Sequence, residues 1–306
     1  MSVDRSPTPP ADRYVVIGNP IAHSRSPEIH AAFARQTGEA IGYDRLLVPT
    51  EPSGAFARAV DAFFAGGGRG LNVTLPFKEQ AFAYAGRHSA RSLLAGAVNT
   101  LKADGHSVFG DNTDGPGLVT DLRDRFAFDL YGRSVLLLGA GGAARGVVMS
   151  LLHAGVSRLI IANRTAAKAE SLAAHFNSAP QVRQASLAPV GAVTLAAASP
   201  ADLVVNATSS GVLRGEFALP PGLFDGCALA YDCVYAAHPT TFMRQAQAGG
   251  AARTADGLGM LVEQAAESFL IWRGVRPDTG PVYRMLRDAI SAQAAASQAA
   301  GAGDDL

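Results

Sequence analysis

Polar side chains in the N-terminal part of the chain follow short apolar runs, at the ends of predicted strands, where open α/β sheets bind ligands. Ser24 has no structural role evident from the sequence, whereas Ser26 could also cap a helix with Pro27 at its first position. Lys78 falls in a first helical turn, where its charge opposes the helix macrodipole, so helix stability does not explain it. Hydroxyls, amides, one ammonium and one carboxylate suit a hydroxylated ligand; the candidate residues are Ser24, Ser26, Asn72, Thr74, Lys78, Asn99 and Asp114.

A glycine-rich segment in the middle of the chain, SVLLLGAGGAARG, has the pattern of a dinucleotide site. An apolar run over 134–139 predicts a buried strand, and the turn that follows fits the fingerprint G-x-G-x-x-G/A. Gly139 allows the tight turn, Gly141 lets the backbone approach a pyrophosphate, and the N–H groups of the next helix attract that anion. The predicted cofactor contacts in this turn are Gly139, Ala140, Gly141, Gly142 and Ala143.

The residues after the next predicted strand indicate which coenzyme binds. A site for NAD would place Asp or Glu about 20 residues further on, to hold the ribose 2′-hydroxyl. This chain has Asn163, Arg164 and Thr165 there, with Lys168 one helical turn beyond. Arg164 can pair with a 2′-phosphate or stack on adenine, and Lys168 adds a point charge. The sequence therefore predicts that the coenzyme is NADP(H).

Strand-like runs alternate with helical patterns along the chain. Strands are predicted in a first series over 14–18, 43–48, 70–74 and 96–101, and in a second over 134–139, 158–164, 201–208 and 228–235. Apolar strand cores separated by helices indicate parallel strands buried on both faces. The prediction is an α/β fold with two lobes, an N-terminal α/β substrate lobe and a doubly wound, Rossmann-type NADP lobe.

The lobe boundary is predicted in the helix that follows Asp114. Residues 1–113 would form the substrate-binding catalytic lobe, and residues 114–256 the NADP lobe. Helices predicted over 257–273 and 280–296 are expected to return to the first lobe. Residues 297–306 would form a flexible tail.

Composition argues against several other classes of protein. The formal net charge is zero, with 26 basic and 26 acidic residues, which does not suit a broad surface for nucleic acid or an anionic membrane. Cys227 and Cys233 form neither a disulfide framework nor a metal box, so no metal is expected. The N-terminal segment has acidic residues and prolines but no apolar region, so it does not predict a signal peptide. A bilayer span is not expected, because Arg145 and glycines interrupt the most apolar stretch. We expect a cytoplasmic monomer or homodimer whose partners are NADP(H) and a small-molecule substrate.

Several segments, taken in order between Tyr14 and Arg287, together resemble the shikimate dehydrogenase family: GNPIAHSRSP, LNVTLPFK, AGAVNTL, GDNTDG, GAGGAARG, NRT, NATSSG, YDCVY and DGLGMLVEQAA. The resemblance implies reversible NADPH-dependent reduction of 3-dehydroshikimate to shikimate, in the chorismate and aromatic amino-acid pathway. It implies that Lys78 and Asp114 are the catalytic pair. Substrate hydroxyls and carboxylate would be held by Ser24, Ser26, Asn72, Thr74, Asn99, Asp114, Tyr235 and Gln264. The residues beside the nicotinamide would be Thr208, Val234, Gly257 and Met260.

Three positions depart from the pattern of the family. Lys168 stands where NADP-using members commonly have arginine, which leaves the strength of the NADP preference open. Val234 stands where many members have methionine, and Ala90 where relatives are often acidic. The last two departures concern packing and lobe closure.

Three alternative functions stay open from the sequence. A quinate/shikimate dehydrogenase would differ in the ring substituents and the coenzyme that it accepts, and the surroundings of Arg164 argue against it only modestly. Another small-molecule dehydrogenase with a Rossmann lobe, such as a folate enzyme, would not explain Ser24 and Ser26. A catalytically silent NADP-binding module would not need both Lys78 and Asp114, so a turnover assay would distinguish it.

Overall fold

Two six-stranded sheets follow one another along the chain. A computed structural model describes residues 11–180, 182, 188–208 and 219–301; it places the strands before residue 112 in the first sheet and those after residue 133 in the second. Within these ranges, no helix is both long and apolar enough to cross a bilayer. The two sheets correspond to the two predicted lobes.

The first sheet is mixed. Its strands are β1 (Asp12–Gly18), β2 (Ile41–Leu47), β3 (Gly68–Val73), β4 (Arg87–His88), β5 (Thr100–Asp104) and β6 (Ser107–Asp111), in the spatial order β2-β1-β3-β5-β6-β4. The central strand β1 pairs in parallel with β2 and β3, whereas β5 runs antiparallel to β3 and β6. The helices of this lobe are α1 (Ser26–Thr37), α2 (Ala55–Ala65), α3 (Lys78–Tyr84) and α4 (Ala90–Ala95).

The second sheet has only parallel pairings among its strands. They are β7 (Ser134–Leu138), β8 (Arg158–Asn163), β9 (Val190–Thr194), β10 (Leu203–Asn206), β11 (Leu229–Asp232) and β12 (Thr254–Ala255), in the order β12-β11-β10-β7-β8-β9. The helices are α5 (Asp114–Phe126), α6 (Gly142–His153), α7 (Ala166–Ser178) and α8 (Thr241–Ala248), with a 3₁₀ turn over Leu195–Ala197. The strand order reverses between β7 and β10, which is the switch point of a Rossmann fold.

The two C-terminal helices, α9 (Leu258–Arg273) and α10 (Thr279–Gly301), return to the first lobe. Their apolar faces bury Val262, Phe269 and Leu286 against Ile29 and Phe33 of α1. Both sheets therefore have helices over their faces, as their apolar strands require. The predicted fold class is confirmed, including the return of these helices.

The region around Asn99 differs from its prediction. A strand was expected over 96–101, but β5 begins at Thr100, because Gly96 adopts φ 60° and ends α4. Asn99 lies in the turn before the strand. Strand β6 was not predicted; it pairs with β5 through a two-residue turn at Gly105–His106, in which Gly105 adopts the positive φ (60°) that hairpin turns require.

A prediction at one helix end is also wrong. Ser26 is the first residue of α1, with Arg25 at the N-cap position and no side-chain cap hydrogen bond, so Ser26 does not cap the helix. The backbone of α10 is helical as far as Gly301, so the first five residues of the predicted tail, 297–301, belong to this helix. The remainder of that predicted tail, residues 302–306, lies outside the described residues.

Helix α5 joins the lobes through close backbone contacts. A Cβ atom on Gly117 would lie 2.8 Å from the backbone nitrogen of Gln264 and 2.9 Å from the carbonyl oxygen of Met260, both in α9. A Cβ atom on Gly115 would lie 2.6 Å from a carbonyl oxygen of α6. Packed backbone atoms cannot move aside, so glycine is needed at both positions. These contacts fix the start of α5, where Asp114 lies.

We expect Gly117→Ala to lower the free energy of unfolding by about 1–3 kcal/mol, because the added methyl group overpacks the contact between α5 and α9. Chemical denaturation would measure the change. Gly42→Ala is the matched control, since a Cβ there meets no atom within 4 Å. The control should change stability by no more than about 1 kcal/mol, in the stabilising direction. Equal effects of the two substitutions would contradict the close approach of the helices.

Candidate active site

A cavity of about 1930 Å³ opens between the two lobes. It lies at the carboxyl ends of β1, β3, β7 and β8, the edge where α/β sheets bind ligands. Every residue predicted to act in catalysis, substrate binding or cofactor binding lines it: Ser24, Ser26, Asn72, Thr74, Lys78, Asn99, Asp114, Tyr235 and Gln264, and on the side of the second lobe Gly139, Ala140, Gly141, Gly142, Ala143, Asn163, Arg164, Thr165, Lys168, Thr208, Val234, Gly257 and Met260.

Lys78 and Asp114 form an ion pair in the wall of this cavity. Each is the first residue of a helix, Lys78 of α3 and Asp114 of α5. Lys78 Nζ donates to Asp114 Oδ2 at 2.5 Å, and the two side chains are only 15% and 7% exposed, so solvent screens their attraction little. Within the described residues this is the one hydrogen bond of Nζ, which leaves its other two N–H groups for a ligand.

Asn99 and Thr113 fix the orientation of the Asp114 carboxylate. The backbone N–H of Thr113 donates to Asn99 Oδ1 at 2.8 Å, which determines the orientation of the amide because a backbone nitrogen can only donate. Asn99 Nδ2 therefore donates to Asp114 Oδ1, also at 2.8 Å. Lys78 and Asn99 thus occupy one carboxylate oxygen each. Both oxygens can still accept one further hydrogen bond, such as that of a substrate hydroxyl.

Asn72 is held by a buried network between β3 and α9. Its Nδ2 lies 3.3 Å from the carbonyl oxygen of Asn99 and 2.9 Å from Ser268 Oγ, which in turn contacts Thr100 Oγ1 at 2.7 Å. The amide oxygen then accepts the Tyr43 hydroxyl at 2.7 Å. Burial raises the pKa of Tyr43 well above its ordinary value, so the phenol remains a donor. Asn72 Oδ1 keeps a second lone pair, with which it can accept a hydroxyl of the ligand.

Ser24 and Ser26 lie together at one end of the cavity, with Tyr235 nearby. Ser24 Oγ donates to Ser26 Oγ at 3.1 Å, and Arg45 holds the Ser24 carbonyl oxygen through Nε at 2.9 Å and Nη2 at 2.5 Å. Burial raises the pKa of Tyr235, while the charge and backbone N–H of Arg25 act in the opposite direction. The Tyr235 hydroxyl is therefore a neutral donor beside the two serines. Together the three hydroxyls can bind one carboxylate.

The glycine-rich turn has the shape that a dinucleotide requires. Gly139 has φ 108°, which favours glycine, and a Cβ on it would lie 3.0 Å from the carbonyl oxygen of Ala207. A Cβ built on Gly141 meets no described atom within 4 Å, so the backbone there is open to the cavity. Helix α6 begins at Gly142 without a side-chain cap, which leaves its first N–H groups for a pyrophosphate. These residues fit the predicted cofactor.

Arg164 and Lys168 present positive charge at the end of β8. Both side chains are exposed and line the cavity, and in the described part of the chain neither has a hydrogen bond or an ion pair. Asn163 Nδ2 donates to the Thr165 carbonyl oxygen at 3.0 Å, which shapes the turn that carries Arg164. Unpaired cations at this position can bind a 2′-phosphate.

The ends of β10 and β11 bring further predicted residues to the cavity. Asn206 Nδ2 donates to Asp232 Oδ1 at 3.0 Å, and Asn206 Oδ1 accepts the Thr208 hydroxyl at 2.7 Å. Asp232 Oδ1 also accepts the backbone N–H of Val234 at 3.1 Å. A Cβ on Gly257 would lie 2.3 Å from a carbonyl oxygen of the same turn, so only glycine fits there. The cavity-lining residues placed in this way are Thr208, Val234, Gly257 and Met260.

Three residues that contact the predicted site were not predicted from the sequence. Ser268 lies four residues after Gln264, on the same face of α9, and this spacing is a signal that could have identified it. Arg25 lies between the two candidate serines, but its charge alone does not indicate whether the side chain is oriented toward the site. Tyr43 begins a predicted strand and reaches Asn72 only through the pairing of the sheet, so no local signal marks it. Among the described residues, no group of three or more His, Cys, Asp or Glu side chains is placed to hold a metal ion.

His30 is a fully buried residue beside this network. Its ring stacks on Tyr43 with centroids 4.2 Å apart and packs edge-on to Phe33. Neither ring nitrogen makes a hydrogen bond of normal geometry with the described residues. Burial lowers the pKa of His30 to about 3, against an opposing effect of the Asn72 amide. The ring is therefore neutral in the folded protein and acts as an aromatic packing group.

The fold and the cavity define a class: a two-lobed α/β dehydrogenase that uses a dinucleotide. Family models match three stretches, described as the shikimate dehydrogenase substrate binding domain over 16–101, shikimate / quinate 5-dehydrogenase over 121–214, and the shikimate 5′-dehydrogenase C-terminal domain over 257–287. The shikimate dehydrogenase (NADP(+)) of Alkalilimnicola ehrlichii is 54% identical over 277 residues, which cover 90% of this chain and 98% of the relative.

Solved structures show the same similarity. The shikimate 5-dehydrogenase of Thermus thermophilus in complex with NADP(H) and shikimate is 35% identical, with a TM-score of 0.78 and coverage of 91% of this chain and 99% of that one. A ligand-free 5-ketofructose reductase from a Gluconobacter species is 29% identical, with a TM-score of 0.75 and the same coverage. The chain belongs to the shikimate dehydrogenase family, which confirms the resemblance drawn from its motifs.

We expect His30 to make the free energy of unfolding depend on pH. The unfolded chain binds a proton below about pH 6.5, whereas the folded chain does not until about pH 3, so stability falls as the pH is lowered through this window. Between pH 7 and pH 5 the loss should be about 2 kcal/mol larger than in His30→Phe, which keeps the stacking and cannot titrate. Chemical denaturation across that range would measure it. The control is His106→Phe, at an exposed position, and a pH dependence unchanged in His30→Phe would contradict the assignment.

Proposed function

We propose that this chain catalyses the reversible, NADP-linked interconversion of shikimate and 3-dehydroshikimate. One observation carries the proposal: the Lys78–Asp114 pair lines the same cavity as a cluster of hydroxyl and amide groups on one side and a dinucleotide-type glycine turn on the other. A proton donor between a site for a hydroxylated ring and a site for a nicotinamide is what reduction of a ring ketone requires.

The second lobe would hold the coenzyme. The turn over Gly139–Ala143, which contains the first N–H groups of α6, would bind the pyrophosphate. The adenosine end with its 2′-phosphate would be bound by Asn163, Arg164, Thr165 and Lys168. Thr208, Val234, Gly257 and Met260 would lie beside the nicotinamide. When bound, NADP(H) supplies or accepts the hydride at the ring carbon that bears the oxygen.

Lys78 is the proton donor in the direction of reduction. One of the N–H groups of Nζ that Asp114 does not use would donate to the ketone oxygen, which gains negative charge as the carbon is reduced. In the reverse direction the amine takes the proton of the alcohol. Asp114 orients the ammonium and accepts a neighbouring hydroxyl of the substrate on one of its remaining lone pairs.

The first lobe would orient the ring. The hydroxyls of Ser24, Ser26 and Tyr235 would bind the carboxylate at one end of the cavity. The ring hydroxyls would be bound by Asn72, Thr74, Asn99, Asp114 and Gln264. Because the amides of Asn72 and Asn99 are fixed by internal hydrogen bonds, the donors and acceptors that the ring meets are set before it binds.

Initial rates with shikimate and quinate, each with NADP and with NAD, would test the proposal. Shikimate with NADP should give the highest kcat/KM, and formation of reduced nicotinamide would be followed by absorbance. Comparable rates with quinate or NAD would instead indicate a quinate/shikimate dehydrogenase. Binding of NADP without turnover of either acid would indicate a silent coenzyme-binding module.

The proposal includes the boundaries of the two lobes. We assign residues 1–113 to the substrate lobe, with 257–296 packed on it, and residues 114–256 to the NADP lobe. The contacts of α9 and α10 with α1 support this division.

The cysteines Cys227 and Cys233 are both free thiols, which suits a reducing cytoplasm. We propose a monomer or a homodimer, and sedimentation at several concentrations would distinguish them.

Lys78→Ala should lower kcat by roughly 10²–10⁴-fold, the usual contribution of a positioned proton donor. The dissociation constant of shikimate should change much less, because several other groups hold the ring. Lys102→Ala is the matched control: that side chain binds the carbonyl oxygen of Ile271 and does not belong to the proposed site. Near-normal turnover of Lys78→Ala would mean that another group donates the proton.

Arg164→Ala should weaken NADP binding by about 1–3 kcal/mol, the scale of a charged hydrogen bond, and leave NAD binding nearly unchanged. The reason is that only NADP carries the 2′-phosphate. Titration of both coenzymes would measure the change, with Arg158→Ala at the exposed start of the same strand as the control. Equal losses for the two coenzymes would show that Arg164 serves the adenine or the fold instead.

A further inference from the structure

The serine end of the cavity carries more positive than negative charge. Arg25 and Arg45 share one carboxylate, that of Glu28: Arg25 Nη1 lies 3.6 Å from one oxygen and Arg45 Nη2 lies 3.1 Å from the other. Guanidinium groups stay protonated at all ordinary pH values. The hydroxyls of Ser24 and Ser26 are neutral, so one positive charge at this end is not balanced by these neighbours.

Helix stability does not explain Arg25. It occupies the N-cap position of α1 and its side chain makes no cap hydrogen bond. A positive charge at a helix N-terminus opposes the macrodipole and is unfavourable there. Its ion pair with Glu28 is long, with side chains that are 25% and 40% exposed, and pairs of this kind contribute little.

The Arg25 guanidinium belongs to the wall of the cavity. Its Nη2 donates to Gln293 Oε1 of α10 at 2.5 Å, and both side chains line the cavity. Arg45 differs, because its Nε and Nη2 bind the carbonyl oxygen of Ser24 and so position the loop. The Tyr235 hydroxyl lies close enough to Arg25 for that charge to act on it. Of these two arginines, Arg25 is the one that lines the same cavity as the three hydroxyls.

We propose that Arg25 determines specificity for an anionic substrate: its charge attracts a carboxylate to the hydroxyls of Ser24, Ser26 and Tyr235 and gives no comparable advantage to a neutral group. The inference rests on the proposed function, in which the carboxylate of shikimate binds at these hydroxyls. The three neutral hydroxyls can donate to a carboxylate or to the carbonyl oxygen of a neutral group, and they carry no charge of their own that favours the anion. A nearby cation distinguishes the two ligands, because its electric field stabilises a bound carboxylate and not a neutral group.

The test uses the full chain with NADP and two substrates, shikimate and its neutral methyl ester. In Arg25→Gln, the KM for shikimate should rise about fivefold to twentyfold, between the value of an exposed ion pair and that of a charged hydrogen bond. The KM for the ester should stay within about twofold of the wild-type value, and Arg25→Lys should recover most of the loss for shikimate. Added salt should raise the wild-type KM for shikimate more steeply than that of Arg25→Gln.

Arg35→Gln is the matched control. It removes the same charge from the last turn of the same helix, outside the proposed site. Both KM values should be unchanged in this variant, which separates a local effect of Arg25 from an effect of net charge. Thermal unfolding of Arg25→Gln would show whether the bond to Gln293 has a structural contribution as well.

Equilibrium titration of shikimate and the ester would be run beside the kinetics, so that binding and turnover are measured separately. If the wild-type chain neither binds nor oxidises shikimate, the proposed function is wrong, and the inference falls with it. If the wild-type chain is active and Arg25→Gln raises the KM for acid and ester alike, or for neither, the charge of Arg25 does not select the substrate. That result would overturn the inference and leave the proposed function intact.

Discussion

The ion pair between Lys78 and Asp114 is the interaction on which the rest of the site depends. Lys78 begins α3, where a cation is unfavourable, and Asp114 begins α5, where an anion is favourable. Their contact offsets the unfavourable position of the Lys78 charge, and Asn99 donates a hydrogen bond to the other oxygen of the Asp114 carboxylate. The turn before β5 is bound to the start of α3 by the Val98 N–H, which donates to the Lys78 carbonyl oxygen at 2.9 Å. A change to either partner would leave a poorly solvated charge in the cavity wall.

The coenzyme lobe meets the substrate lobe at this same pair. A Cβ on Gly142, in the glycine-rich turn, would lie 3.3 Å from Lys78 Cβ, so the turn approaches the lysine at van der Waals distance. Arg145 and Glu79 face each other across the boundary at 3.8 Å, one from α6 and one from α3. The lobes therefore touch through the residues next to those that would do the chemistry. A shift of one lobe would change the distance between hydride and proton donor.

Much of this arrangement could be predicted from sequence because it follows from local patterns. Apolar runs located four of the six strands of the second sheet to within a few residues, whereas the short strands β9 and β12 were not predicted. The glycine pattern located the turn after β7. The position of Asn99 was harder to predict, since a Gly–Ala–Val run also suits a strand. In the structure Gly96 instead ends α4 in the αL conformation, as glycine commonly does at helix ends. Ser26 matched the pattern of a helix cap, but the chain enters α1 one residue earlier.

The parts that sequence could not predict are contacts between distant segments. Tyr43 reaches Asn72 only because β2 and β3 flank β1, and Ser268 reaches Asn72 across 196 positions of sequence. Such pairs leave no spacing to recognise within one segment. Nothing in the sequence shows that both atoms of the Asn72 amide are engaged, and that is the fact that determines what the residue offers to a ligand.

The distribution of charge along the cavity would let a chain of zero net charge bind an anionic group at each end of that cavity. Arg25 lies at one end and Arg164 with Lys168 at the other, while the pair between them, Lys78 with Asp114, is neutral overall. Fields of exposed charges fall off within about 8 Å in physiological salt, so each end acts on the ligand group next to it. The carboxylate of the substrate and the 2′-phosphate of the coenzyme, bound at the two ends, would then hold the reacting carbon and the nicotinamide beside the neutral Lys78–Asp114 pair. There the negative charge that develops on the oxygen would meet the ammonium of Lys78, which already balances the charge of the adjacent Asp114.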